Sequence, residues 1–160
     1  MIDQNRRVVM KGALGFGAAG LALGTGLVPL SAWAAPDAAQ WPEDAFAAKA
    51  VDKAIATLYG QGATKSNKIE LQAPTIAQNG AVVPITVETS LPKVTSIALL
   101  APKNPNALVA SYEIPEGTLP YVSNRIKMAE TSDIVAVVVS DGKLYRASKL
   151  VKVTIGGCGG

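Results

Sequence analysis

From residue 63 onward, turn-forming residues cut the chain into apolar runs too short for helices and long enough for strands. The cuts are Ala73-Pro74, Asn79-Gly80, Leu91-Pro92, the stretch 102–106, Pro115-Glu116-Gly117 and Asp141-Gly142. Proline fixes φ and lacks an amide donor, glycine admits left-handed backbone, and Asn or Asp bonds its own backbone, so each cut ends an element. Strands are expected at 69–73, 82–89, 95–100, 109–114, 121–128, 134–140 and 143–155. Several alternate with period two: Val83, Ile85 and Val87 share one face, Thr86 and Glu88 the other. Asp141-Gly142, set between two apolar runs, predicts a two-residue hairpin. Many short strands with regular turns predict a mainly β, immunoglobulin-like β-sandwich. The Cys…Trp…Cys pattern of antibody domains is absent, so only the architecture is expected.

One helix is expected ahead of these strands, over residues 42–59. Pro42 suits a first helical turn, and Glu43 and Asp44 stand where the helix dipole favours acids. Ala47, Val51, Ile55 and Leu58 recur at helical spacing. Gly60 is placed to cap the C-terminus in the left-handed region. Trp41 and Phe46 are expected to staple the helix to the body or to a partner.

Residues 1–34 carry the pattern of an export signal. Arg6, Arg7 and Lys11 form the positive region, small and apolar residues follow from Gly12 to Trp33, and Ala32-Trp33-Ala34 is an A-x-A site. Cleavage is expected between Ala34 and Ala35. The string Asn5-Arg6-Arg7-Val8-Val9-Met10-Lys11 resembles a twin-arginine (Tat) signal, with Asn5, Val9 and Met10 departing from the usual form. An ordinary signal with a chance arginine pair, or an uncleaved anchor, are the alternatives. The expected organisation is therefore a cleaved signal at 1–34, a lead and helix at 35–62, a sandwich at 63–155 and an arm at 156–160.

Removing the signal changes the charge argument. The whole chain holds 15 basic and 12 acidic residues. Without Arg6, Arg7, Lys11 and Asp3, 15 − 3 = 12 basic and 12 − 1 = 11 acidic residues remain. The pI near 9.0 thus belongs to the precursor and gives no ground for nucleic-acid or lipid binding. There is no histidine, which removes the commonest general base and metal ligand together with every Ser-His or Cys-His pair. With a single cysteine as well, zinc, copper and iron–sulfur sites lack ligands. No phosphate loop or dinucleotide fingerprint is present. No cofactor is expected, and a self-sufficient enzyme is a poor reading.

The one cysteine stands in the ending Ile155-Gly156-Gly157-Cys158-Gly159-Gly160. Four of the five residues beyond Ile155 are glycine, so the backbone is permissive and almost free of side-chain bulk. Five extended residues reach roughly 17 Å, enough to thread a narrow tunnel and present a thiol at its end. A lone, unpaired cysteine in an oxidising compartment is a liability unless it is used. Lys149 and Lys152 are the nearest cations along the chain, so activation of the Cys158 thiol is expected to come from partner enzymes. Three readings follow: a covalent carrier through Cys158, a ubiquitin-like sulfur donor through the Gly160 carboxylate, and a structural module forming an intermolecular disulfide. The donor reading requires cytoplasmic ATP, against which the export signal argues.

The ending GGCGG, together with the signal, resembles the SoxY family, the sulfur-carrier subunit of the periplasmic thiosulfate-oxidising Sox system. The resemblance extends over nearly the whole chain. It takes in the Trp41-Pro42 helix ending Leu58-Tyr59-Gly60, and then the stretches 76–84, 99–105, 122–128 and 151–160. It implies an immunoglobulin-like fold and a periplasmic location. It also implies a heterodimer with a SoxZ-type subunit. The SoxXA cytochrome would couple thiosulfate to the cysteine as Cys-S-S-sulfonate, the SoxB hydrolase would release sulfate, and a SoxCD-type dehydrogenase would oxidise the remainder. Carried over residue by residue, Cys158 is the attachment point and Gly156, Gly157, Gly159 and Gly160 form the arm. Tyr121 and Arg125 are further candidates for docking partners, with core or solvated surface as the plainer reading.

Overall fold

The computed structural model describes residues 41–155. The expected signal residues Arg6, Arg7, Lys11, Ala34 and Ala35 lie outside these, as do the arm residues Gly156, Gly157, Cys158, Gly159 and Gly160. The expected strand sequence is present, with two additions. Helices α1 (Glu43–Ala47) and α2 (Val51–Tyr59) precede β1 (Thr64–Lys65), β2 (Ile69–Gln72), β3 (Ile76–Ala77), β4 (Val83–Thr89) and β5 (Val94–Leu100). They are followed by β6 (Leu108–Glu113), β7 (Tyr121–Ile126), β8 (Ser132–Ser140) and β9 (Lys143–Val153).

These strands form an immunoglobulin-like sandwich. One sheet runs β1-β9-β8-β5-β6, with β3 also paired to β9; the other runs β2-β4-β7. The β8–β9 hairpin turns through Asp141 (φ 50°) and Gly142 (φ 72°), the double left-handed turn that an Asp-Gly pair favours. Between the sheets lie Val83, Ile85 and Val87 of β4, Ile97 and Leu99 of β5, Ile134, Ala136 and Val138 of β8, and Met128. Burying each large side chain of this set contributes about 1.5–3 kcal/mol.

The six-stranded sheet is buried on its other face too. Ala98 and Leu100 of β5 and Val135 and Val137 of β8 pack with Ala45, Ala54 and Ile55 of the helices. Hence β5 and β8 carry unbroken apolar runs, at 97–100 and 134–139, rather than alternating ones, as strands covered on both faces must. The helices thus add a third layer to the expected two sheets.

The single helix expected at 42–59 is two helices. Ala48 takes extended backbone (φ −69°, ψ 128°), and its carbonyl accepts the Ala107 amide at 2.9 Å. That bond to the loop before β6 outweighs a local sequence with no helix breaker. α2 ends as expected on left-handed Gly60 (φ 71°), whose amide donates to the Ala56 carbonyl. Trp41 and Phe46 stack on each other with ring centroids 4.4 Å apart. They span the residue before the N-cap and the fourth helical residue, a staple across the helix start. Short β1 and β3 each pair in parallel with β9, and β9 itself ends at Val153, two residues earlier than expected.

Candidate functional site

The sequence places its chemistry just past Ile155, so the described part of the candidate site is the root from which residues 156–160 depart. That root is held on both flanks. β8 pairs with β9 from Ser140↔Lys143 to Ser132↔Val151. Where this ladder stops, the Thr131 hydroxyl replaces the next rung. It accepts the Val153 amide at 2.9 Å and lies 3.4 Å from the Val153 carbonyl.

The other flank is the stretch through β3 to Gly80. Lys152 donates its amide to the Thr75 carbonyl at 3.0 Å, and Thr154 donates its amide to Ala77 at 3.1 Å. The Thr154 hydroxyl lies 3.1 Å from the Gln78 carbonyl. The Ile155 carbonyl accepts the Gly80 amide at 2.8 Å. The Gly80 carbonyl in turn accepts the amide of core residue Met128 at 2.7 Å. A continuous run of backbone bonds therefore joins Ile155 to the core. Backbone groups paired in this way are fixed in position, so the chain is held as far as Ile155.

Neighbouring loops are braced in the same fashion. The Asn79 Oδ1 accepts the Ala81 amide at 2.8 Å, an Asx turn. Asn104 donates Nδ2 to the Lys127 carbonyl at 2.7 Å and accepts the Ala129 amide at 2.8 Å, tying the loop before β6 to the loop before β8. Three exposed apolar side chains, Ile76, Val82 and Ile155, stand on the segments that form the root. Lys103 and Lys127 are exposed in these loops, and Lys152 on β9 close by. Of the cations read from the sequence, Lys152 is exposed and Lys149 half-buried opposite Ile134. Lys103 and Lys127 were missed because bonds between residues far apart in sequence bring their loops to this end, Asn104 to Lys127 and Ala129, and Met128 to Gly80.

Tyr121 and Arg125 both lie on β7, alternating with buried Val122 and Ile126, and so face solvent on the outer side of the three-stranded sheet. Tyr121 is paired with Glu88 at the far end of β4, and Arg125 with Pro84 at the end nearer the root. The structure does not gather them into one cluster. A cavity of about 360 Å³ lies by Leu91, Lys93, Ile114 and Thr118, at the end of the sandwich opposite the root. A polar groove of about 620 Å³ lies beside the start of α2, lined by Lys49, Lys65, Arg146 and Asp52 among others. In it Arg146 pairs with Asp52 at 3.6 Å. Among the described residues no group of three or more Cys, Asp or Glu is brought together. Nor is any helix among them long and apolar enough to cross a membrane.

The family model for the sulfur oxidation protein SoxY matches residues 55–158, a span that ends on the cysteine. The solved structure of the sulfur carrier protein SoxY from Chlorobium limicola f thiosulfatophilum is 47% identical to this chain. It covers 65% of this chain and 96% of its own, with a TM-score of 0.60. A superoxide reductase (neelaredoxin) from Ignicoccus hospitalis is 17% identical, covers 54% of this chain and 80% of its own, and has a TM-score of 0.48. No curated protein shows a significant match.

Proposed function

This chain belongs to the SoxY family, and on that premise we propose that it is a covalent sulfur carrier whose attachment point is Cys158. The observation that carries the reading is the sole thiol of the chain, set between glycine pairs within a family match that reaches residue 158. The geometry of the root supports it. A carrier needs a fixed body and a tether that starts at a defined point. Backbone bonds hold the chain as far as Ile155, and three residues beyond it bring Cys158 to about 10 Å when extended.

In this reading the thiol and thiosulfate join by an S–S bond between Cys158 Sγ and the outer sulfur of thiosulfate. The step yields Cys-S-S-sulfonate and gives up the thiol proton and two electrons, which a cytochrome of SoxXA type accepts. Water then attacks the sulfonate sulfur at a SoxB-type hydrolase, releasing sulfate and leaving a persulfide on Cys158. A SoxCD-type dehydrogenase is the candidate for oxidising that persulfide. The chain supplies the tether and its partners supply the catalysis, in keeping with a sequence that holds no histidine to activate its own thiol. Tethering keeps the reactive intermediate at high local concentration while it passes between sites.

The exposed Ile76, Val82 and Ile155 offer partner enzymes apolar contact beside the tether. A SoxZ-type subunit completes a heterodimer. The location is the periplasm, reached through a twin-arginine signal carrying Arg6, Arg7 and Lys11 and cut between Ala34 and Ala35. Reconstitution tests the reading: thiosulfate-dependent cytochrome reduction with the partner proteins is expected from wild type and lost in Cys158→Ser. Undiminished reduction with the serine protein would overturn it.

A further inference from the structure

The Asn79-Gly80 pair forms a turn whose bonds give it a second property. We infer that Asn79 is a site of self-modification by deamidation, held in check by the carbonyl of Ile155. The reaction needs two groups: the Asn79 side-chain carbonyl as electrophile and the Gly80 backbone nitrogen as nucleophile. Glycine at the second position leaves the approach clear, because it has no Cβ.

The electrophile is primed. Asn79 is exposed, and its Oδ1 already accepts the Ala81 amide at 2.8 Å, a donor aimed at the oxygen where negative charge develops as the carbonyl carbon is attacked. The nucleophile is guarded. The Gly80 N–H is committed to Ile155 at 2.8 Å, the Gly80 carbonyl to Met128 at 2.7 Å, and the residue is buried. Attack requires the nitrogen to leave the Ile155 carbonyl, which means opening the root of the tail.

When the root opens, a bond forms from the Gly80 nitrogen to the Asn79 side-chain carbon. The side-chain amide departs as ammonia, taking the Gly80 proton, and a succinimide remains. Water opens that ring to aspartate or isoaspartate. Aspartate keeps the main-chain length and an oxygen for the Ala81 amide. Isoaspartate adds a methylene to the main chain, shifting the Gly80 amide away from Ile155 and leaving the root without that bond. The turn is thus a timer that records how often the root has opened and, in its isoaspartate outcome, holds it open.

The test uses the full chain, incubated at mildly alkaline pH, with residue 79 followed by peptide mass spectrometry and the Gly80 amide by hydrogen exchange. Deamidation in the folded protein is expected to run roughly tenfold or more slower than in a free peptide of residues 76–83, since reaction waits on local opening. Thr154→Val, which removes the bond to Gln78, is expected to speed Gly80 exchange and deamidation together, several-fold. Thr131→Val, on the other flank, should move both in the same direction. A folded protein that deamidates at the peptide rate would overturn the inference. So would variants in which Gly80 exchange rises and deamidation does not. Neither the thiol nor a partner takes part, so the measurement is equally valid in Cys158→Ser and stands apart from any carrier assay.

Discussion

Replacing Thr131 by valine should loosen the root of the tail and leave the body of the sandwich intact. Thr131 sits one residue before β8, and among the described residues its hydroxyl is what holds Val153 on that flank once the ladder has ended at Ser132↔Val151. The substitution removes the 2.9 Å bond from the Val153 amide and the longer contact to the Val153 carbonyl. Thr131 is exposed, so water reaches the orphaned amide and the loss falls near the middle of the usual range, about 1 kcal/mol. At about 1.4 kcal/mol per tenfold, that raises the open population at Val153 roughly fivefold. Amide hydrogen exchange reads it directly: Val153 is expected to exchange about fivefold faster, while Ile134 to Val138 in the middle of β8 keep their protection. Tm should fall by no more than about 2 °C, because the affected strand end opens before the fold does. Thr131→Ser, which retains the hydroxyl, should restore wild-type exchange. Unchanged exchange at Val153 would refute the reasoning, and so would equal acceleration throughout β8.

Leu99→Ala, which empties a fully buried position between the sheets, is expected to cost about 2–5 kcal/mol in denaturant unfolding. Burial raises the Tyr59 phenol above its ordinary 10.0, against the opposing bonds to Ser96 and Ser111. The folded state then holds its proton at pH values where the unfolded state has lost it, so stability falls as pH rises above about 10. Tyr59→Phe should remove that part of the alkaline loss, read as the difference between the two Tm–pH profiles; parallel profiles would count against it. Valine at Gly157 or Gly159 should slow turnover by partner enzymes about tenfold or more with Tm unchanged, if the arm must thread a confined site. Equal turnover would make those glycines incidental.

Much of the sandwich was legible because local chemistry marks its joints. Asp141-Gly142 adopts the left-handed pair its hairpin needs, and Gly60 caps α2 as placed. The break between α1 and α2 was not legible, since Ala48-Lys49-Ala50 holds nothing that ends a helix and the cause is a bond to distant Ala107. Two-residue β1 and β3 were likewise invisible, being defined by where β9 passes rather than by their own sequence. The third layer did leave a signal that the alternation argument passed over. The unbroken runs 97–101 and 134–139 can be buried only if both faces of the sheet are covered. At the candidate site the thiol and its glycines are explicit in the sequence. The clamp at the root is not, because it brings Gly80 of the loop before β4 together with Met128 and Thr131 of the loop between β7 and β8 at the end of β9.

The most direct test of the carrier account is the mass of the protein after loading. Wild type incubated with thiosulfate, its loading cytochrome and an electron acceptor is predicted to gain the mass of one thiosulfate less the displaced hydrogen. The gain should map to the peptide containing Cys158, disappear on thiol reduction and be absent from Cys158→Ser. A gain that persists in the serine protein, or that maps to the Gly160 carboxylate, would contradict the account.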